Sequence, residues 1–353
     1  MSNHTGLKKV LKENFQLHGA RLDFMSRFIM AVIVVRTVSL GTLASALNPV
    51  VFPESNEKRL KRFFQQVCLS KTDFAKLILK LIPKSGKYVL SLDRTNWQIG
   101  STNINIMMLA VCHKGIAFPL IWTLLDKKGN SKTRERLDLL DELLKVLPAT
   151  KIEVLVADRE FIGKLWFKGL RKRKISFIMR IKNDTLIASK GSKKSVKYRY
   201  THLNIGENYV SPKRVSIYGL RFYLAVTKSQ EDEIVAVACS DKPKKALSRY
   251  AQRWNIECLF SALKTRGFNL EDTKLTQADR LNNVIILLSI AFAWAHLLGE
   301  WVYSQRPLKL KKHGYLPISF FKRGLNYLRT AILAQQSQPA KVPLSFCLNL
   351  LSP

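Results

Sequence analysis

The 353-residue chain predicts an α/β fold: a mixed sheet flanked by helices, interrupted by a β-rich insertion and preceded by a helical region. Three observations carry this prediction. Residues 1–84 space their apolar side chains at helical intervals. Residues 86–181 alternate β-branched strands with amphipathic helices. Residues 183–234 return to a two-residue alternation. A hydrophobic content of 47% supplies a sizeable interior and excludes wholesale disorder.

In "SLGTLASAL", Leu40, Leu43, Ala44 and Leu47 fall at i, i+3, i+4 and i+7. After a proline-containing break, "SNEKRLKRFFQQV" repeats that spacing with Leu60, Phe63, Phe64 and Val67, and Ser55 is the expected N-cap. The polar side of this second helix carries Lys58, Arg59, Lys61, Arg62, Gln65 and Gln66. The pair is therefore either a helix-turn-helix-like DNA reader or an ordinary basic surface. From residue 86, "KYVLSLD" reads as a strand ending at Asp93. "INIMMLAVCHKG" and "IAFPLIWTLLDKKG" are two more strands, with turns at Gly115 and "KKGN". "SKTRERLDLLDELLKVLP" is an amphipathic helix expected to bury Leu137, Leu140, Leu144 and Leu147. "IEVLVAD" is a strand ending at Asp158, followed by a helix over residues 165–173 and the strand "ISFIMRI". In the insertion, "ASKGSKKSVKYRYTHL" reads as a strand with Lys197 and Arg199 on one face and Val196, Tyr198 and Tyr200 on the other. "RYAQRWNIECLFSALKTRGF" (249–268) reads as one helix. Val284 to Leu298 is a core helix, since its apolar run falls short of the roughly 20 residues a membrane span needs. Past Pro307 come a basic connector and a helix with Phe321, Leu325, Leu328 and Ile332 on one side.

The charge is lopsided: 59 Lys and Arg against 25 Asp and Glu give +34. Such an excess calls for a polyanionic partner, with nucleic acid ahead of an anionic membrane surface. The five cysteines are scattered without zinc spacing, and "MSNHTGLKKVLKENF" has no apolar leader. Both features fit a soluble cytoplasmic protein with reduced thiols. His113, His296 and His313 have no spacing that suggests a metal or a nucleophile triad.

On an ideal helix with Tyr250 at zero, Arg253, Glu257 and Lys264 fall at roughly 300°, 340° and 320°. The four polar groups share one stripe beside the apolar face of Ile256, Leu259, Phe260 and Leu263. An Arg253–Glu257 surface salt bridge would explain two of them and leave Tyr250 and Lys264 unexplained. Asp93 and Asp158 each follow an apolar strand, where ligands collect and where turn-forming or capping aspartates also occur. With Glu257 they make three carboxylates, a count suited to holding two divalent cations for in-line phosphoryl displacement. Glu160 is either an auxiliary acid or the partner of a nearby cation. The run "KGLRKRK" (168–174) either lines a DNA channel or is a solvated face.

Tyr250-x2-Arg253-x3-Glu257-x6-Lys264, with "LSLDRTNW" and "VADREF", resembles the Tyr-Arg-Glu-Lys signature and acidic blocks of the insertion-sequence-four family of bacterial DDE transposases. The resemblance implies a ribonuclease-H-like catalytic core over 85–182 and 235–306 and a β-rich insertion over 183–234. Ahead of these lies a helical DNA-binding region over 1–84, and a C-terminal helical region over 307–353 follows. It implies that Asp93, Asp158 and Glu257 are catalytic and bind two Mg²⁺ ions, for which Mn²⁺ can substitute. Tyr250, Arg253 and Lys264 would contact phosphates near the cleaved transposon end. Lys58, Arg59 and Arg62 are expected to bind DNA on the helix-turn-helix-like reading of the basic helix. The partners implied are double-stranded DNA and a second copy of the chain in the DNA complex, and no membrane. The expected location is the cytoplasm, on the nucleoid. A catalytically inactive DNA-binding protein, a decayed transposase acting as an inhibitor, is the competing expectation. One departure concerns cleavage through a DNA hairpin, in which family members stack a flipped base on a tryptophan of the insertion. No Trp lies between Trp166 and Trp254, which leaves Tyr218, Phe222 or Tyr223 as stacking platforms or as hairpin core. Trp97 and Trp254 flank the proposed site or serve as packing.

Overall fold

The computed structural model describes residues 3–82, 86–189, 191–242, 245–312, 314, 316–334 and 343–351. His313 lies outside them. The chain forms two compact units. One comprises Met1–Lys84, Trp97–Thr102 and Leu259–Pro353, and the other Ser85–Asn96 and Asn103–Cys258.

In chain order, five helices come first: α1 (Asn3–Asn14), α2 (Gly19–Val35), α3 (Leu40–Leu47), α4 (Pro53–Gln66) and α5 (Lys71–Leu81). Then follow β1 (Tyr88–Ile99), β2 (Thr102–His113), β3 (Ile116–Leu124), α6 (Thr133–Leu144), β4 (Ile152–Ala157), α7 (Lys164–Lys172) and β5 (Phe177–Ile181). Next come β6 (Leu186–Ser189), β7 (Ser192–Ser195), α8 (Val196–Tyr200), β8 (Asn208–Val210), β9 (Val215–Ile217), β10 (Leu220–Lys228) and β11 (Ile234–Cys239). The chain closes with α9 (Ala246–Ala251), α10 (Trp254–Leu263), α11 (Ala278–Gln305), α12 (Phe320–Ala334) and α13 (Leu344–Asn349).

The helical unit is built around α11, whose residues from Leu281 to Leu298 are buried almost without exception. Its apolar window is long enough to cross a membrane, yet 94% of that window is buried inside the protein. Asn282 and Asn283 project from it to the backbone between α4 and α5. The Asn283 side chain accepts from the Leu69 N–H at 2.9 Å and donates to the Val67 carbonyl at 2.6 Å. Where α11 meets α12 the backbones nearly touch: a Cβ on Gly324 would lie 1.7 Å from the Ala295 carbonyl oxygen, so only glycine fits. The helix α4 starts at Pro53 with Phe52 as N-cap residue, not at the expected Ser55. Proline pre-sets the helical φ at the first position and gives up an N–H that has no partner there. Asn56 then ties the α3–α4 turn, its amide lying within 2.9 Å of the carbonyls of Ala44 and Asn48.

In the second unit the sheet runs β3-β2-β1-β4-β5-β11-β10-β9-β6-β7, with β8 on β10. β2 and β3 are antiparallel, β1, β4 and β5 are parallel, and β11 lies antiparallel to β5. A β-meander feeding two parallel strands, with helices on its faces, is the ribonuclease-H-like arrangement. The strands of residues 183–234 continue this sheet.

Three local expectations are corrected. β1 does not stop at Asp93 but runs on to Ile99, because its hairpin partner β2 continues the ladder. Residues 196–200 are a helix, not a strand: Ser195 caps it by accepting from the Tyr198 N–H, and Val196 and Tyr200 are buried while Tyr198 is 69% exposed. The i,i+4 pair turns inward and the residue between them outward, which a strand cannot do. Helix α6 buries Leu139, Leu140 and Leu143, leaving Leu137 and Leu144 half-exposed. Its inner face is rotated because Arg136 is also buried there, donating to Ser131 Oγ at 2.8 Å.

Candidate active site

β1 and β4 lie side by side in register, Val89 opposite Val154, Ser91 opposite Val156 and Leu92 opposite Ala157. Alternation therefore puts Val89, Ser91 and Asp93 of one strand on the same face as Val154, Val156 and Asp158 of the other. The lower part of that face is apolar and packs under α9 with Ile178, Ala225, Val237, Ala246 and Tyr250. The upper part carries the two aspartates. Each takes the same pose: Asp93 Oδ1 accepts from the Arg94 N–H at 2.8 Å, and Asp158 Oδ1 from the Arg159 N–H at 2.7 Å.

The expected single helix over 249–268 is broken. α9 ends at Ala251, and α10 begins at Trp254. Between them, Arg253 N–H bonds back to the Tyr250 carbonyl, Asn255 N–H to Gln252 and Ile256 N–H to Arg253, all i→i+3. This tightened turn shifts the phase between Tyr250 and Glu257 away from that of an ideal helix. Its effect is to place Arg253 over the acids. One guanidinium nitrogen lies 2.5 Å from Glu257 Oε1 and 3.4 Å from Asp93 Oδ2. The Tyr250 hydroxyl donates to Asp158 Oδ1 at 3.4 Å. Burial pushes the Tyr250 hydroxyl up to about 12, reinforced by the negative Asp158, so it remains a donor.

Arg253 thus touches both Asp93 and Glu257, while the neighbouring Tyr250 holds Asp158. Lys264 belongs to the helical unit, where it pairs with Glu271 at 2.7 Å and lies over the Trp97 ring. Lys58, Arg59 and Arg62 are exposed on α4. Glu160 pairs with Arg94 at 2.6 Å. Phe222 is fully buried with Phe167 and Phe177, so it is core and no platform. Tyr218 is partly exposed. Trp97 packs inside, whereas Trp254, 59% exposed beside Arg253, does not. His296 is buried against Glu300.

Asp93 is only 16% exposed, and burial pushes its carboxyl up to about 7, the Arg94 N–H and Arg253 offsetting part of that rise. A desolvated carboxylate without full positive compensation is chemically fitted to a hard cation. Among the described residues no three His, Cys, Asp or Glu side chains stand at metal-ligating spacing. The cation that Asp93 and Glu257 share is Arg253.

Sequence reasoning missed Arg94. It was visible only as the residue after Asp93, while its partners lie 11 to 66 positions away.

The sheet and the acids on it define a ribonuclease-H-like α/β protein. Residues 84–294 match the family described as Transposase DDE domain, and the chain belongs to that family of enzymes. Such domains generally use divalent metals. No curated protein matches the sequence. Among solved structures, a piggyBac transposase synaptic complex with hairpin DNA is 10% identical, over 98% of this chain and 80% of that one, with a TM-score of 0.45. Endonuclease V of Bacillus subtilis is 14% identical, over 69% and 97%, with a TM-score of 0.29. The C-terminal lobe of a budding yeast Argonaute is 13% identical, over 76% and 61%, with a TM-score of 0.23. Likenesses this distant carry no functional information.

Proposed function

We propose that the chain is the transposase of a bacterial insertion sequence of the insertion-sequence-four type. It binds the terminal inverted repeats, cuts at the element ends and joins them to target DNA, acting as a homodimer on nucleoid DNA in the cytoplasm. The meeting of Asp93 and Glu257 on Arg253, with Asp158 on the neighbouring Tyr250, carries this reading.

Asp93, Asp158 and Glu257 would hold two Mg²⁺ ions, or Mn²⁺, which supply Lewis-acid stabilisation of the attacking and leaving oxygens. In the first step water attacks a phosphodiester at the element end, and the 3′ oxygen leaves as a hydroxyl. In the second, that 3′-hydroxyl attacks a target phosphodiester in line and displaces a target 3′ oxygen. Arg253 moves from the carboxylates to a phosphate, where its fork gives two parallel hydrogen bonds. Tyr250 keeps Asp158 oriented, and Lys264, once released from Glu271, adds a point charge to the backbone. Lys58, Arg59 and Arg62 grip the inverted repeats through phosphates.

The test is cleavage in Mg²⁺ of a plasmid carrying the gene's native flanks, wild type against Glu257→Ala. Metal-dependent double-strand breaks at the element ends, lost in the variant, are the expected result. End binding without cutting by either protein, in Mg²⁺ and in Mn²⁺, would instead make the chain an inactive DNA-binding protein.

A further inference from the structure

Arg94 directly follows Asp93 on β1, and alternation turns it to the opposite face of the strand. Its side chain is 13% exposed and uses every donor it has. Nε and Nη2 form a fork on Glu160, at 2.6 Å to Oε1 and 2.8 Å to Oε2. Nη1 donates to Asn105 Oδ1 at 3.0 Å and to the Gly129 carbonyl at 2.7 Å, and Nη2 donates to Asn130 Oδ1 at 2.9 Å. A guanidinium so engaged has no N–H left for DNA. Glu160 stands two residues past Asp158, in the loop that leaves β4. That loop is gripped from its other side as well. The Glu160 carbonyl accepts from Arg136 Nη2 at 3.0 Å, the Arg136 guanidinium lies 5.0 Å from the Phe161 ring, and Phe161 is fully buried.

We infer that Arg94 and Glu160 form a strap across β1 and the β4 loop that holds the backbones under Asp93 and Asp158, so that their carboxylates can close on a divalent cation when Arg253 withdraws. The inference rests on the metal reading above. Both are positioning residues. The strap joins the residue after one acid to the residue two beyond the other, so any slack in it shifts one acid's backbone against the other's. A planar fork resists such slack, whereas a lysine in its place would give one swivelling contact. Outer hydrogen-bond partners of metal ligands are typically worth about 10–100-fold in metal affinity or activity.

The experiment is a Mn²⁺ titration of the full-length, DNA-free protein followed by electron paramagnetic resonance, with thermal melts in EDTA alongside. It compares wild type, Arg94→Lys, Glu160→Gln and Asp93→Asn. The Glu160 variant preserves shape and therefore reads the strap even where the lysine variant folds poorly. Both strap variants are expected to weaken Mn²⁺ binding by about 10–100-fold. Their affinity for end DNA should be unchanged, and kcat for cleavage should fall without a rise in KM. Mn²⁺ affinity within twofold of wild type, whatever the change in melting temperature, would reduce the pair to a structural ion pair and overturn the inference. Failure of the metal reading itself looks different: wild type and Asp93→Asn would then bind Mn²⁺ equally weakly, and the strap would fall with it.

Discussion

Asp93 and Arg253 make opposite demands on the same few ångströms. Asp93 is desolvated, and its carboxyl is raised from 3.8 to about 7. The folded protein therefore keeps a proton that the unfolded chain releases, so metal-free stability must fall as pH rises from about 4 through about 7. The loss is on the order of 4 kcal/mol at most. Denaturant melts in EDTA across that range should show the decline, and Asp93→Asn should flatten it; an unchanged slope in the variant would assign it to other groups. Arg253 opposes this strain through Asp93 and Glu257. Removing it as Arg253→Gln leaves both acids uncompensated, at a cost of about 1–3 kcal/mol once the partial exposure of Glu257 is discounted. Mg²⁺ should then raise the variant's melting temperature more than the wild type's, because the ion fills the charge deficit the arginine left. Equal shifts would mean that Arg253 and the metal do not share a place. The juxtaposition of Asp93 and Asp158 was legible in the sequence, because an alternating apolar strand declares its own face. The Arg94 strap was not, since its acceptors Asn105, Gly129, Asn130 and Glu160 come together only once the sheet exists.

Among the elements, the sequence is ambiguous where two periods fit the same residues. Val196, Tyr198 and Tyr200 satisfy a strand's alternation, but Val196 and Tyr200 also satisfy a helix's i,i+4 spacing, and the Ser195 cap decides for the helix. The helix over 249–268 was legible in composition and illegible at its break, because no glycine or proline marks Gln252 and Arg253. In the helical unit the sequence pattern hid a constraint of a different kind. Gly299 and Gly324 sit in helices, where glycine is unfavourable, yet each allows backbone contact: a Cβ on Gly299 would come 1.8 Å from the Phe320 carbonyl oxygen. Gly324→Ala should therefore destabilise, against helix propensity, by at least about 1–3 kcal/mol, since α11 and α12 must move apart. Gly41, with open space around its Cβ position, is the contrasting site. There alanine should be neutral or stabilising in the same thermal melt, and equal losses at both positions would discard the close-contact explanation.

For the molecule as a whole, the excess of 34 positive charges matters through where it is free to meet phosphate. Several cations are committed internally: Arg173 to Asp141, Arg249 to Glu153, Arg94 to Glu160 and Lys264 to Glu271. On α4 the situation differs by residue. Lys61 is held by Glu57 at 2.7 Å, while Lys58, Arg59 and Arg62 project from the same exposed face. Each phosphate that the protein no longer neutralises should lower the slope of log K against log salt by about 0.9, because one fewer counterion is released from duplex DNA. The triple variant Lys58→Gln, Arg59→Gln, Arg62→Gln should then bind end DNA with a slope shallower by about 2.7, whereas Lys61→Gln should change it least. Fluorescence anisotropy across a salt series reads this directly. A triple variant with the wild-type slope would make the α4 face an ordinary solvated surface and move the DNA grip to other basic faces of the chain.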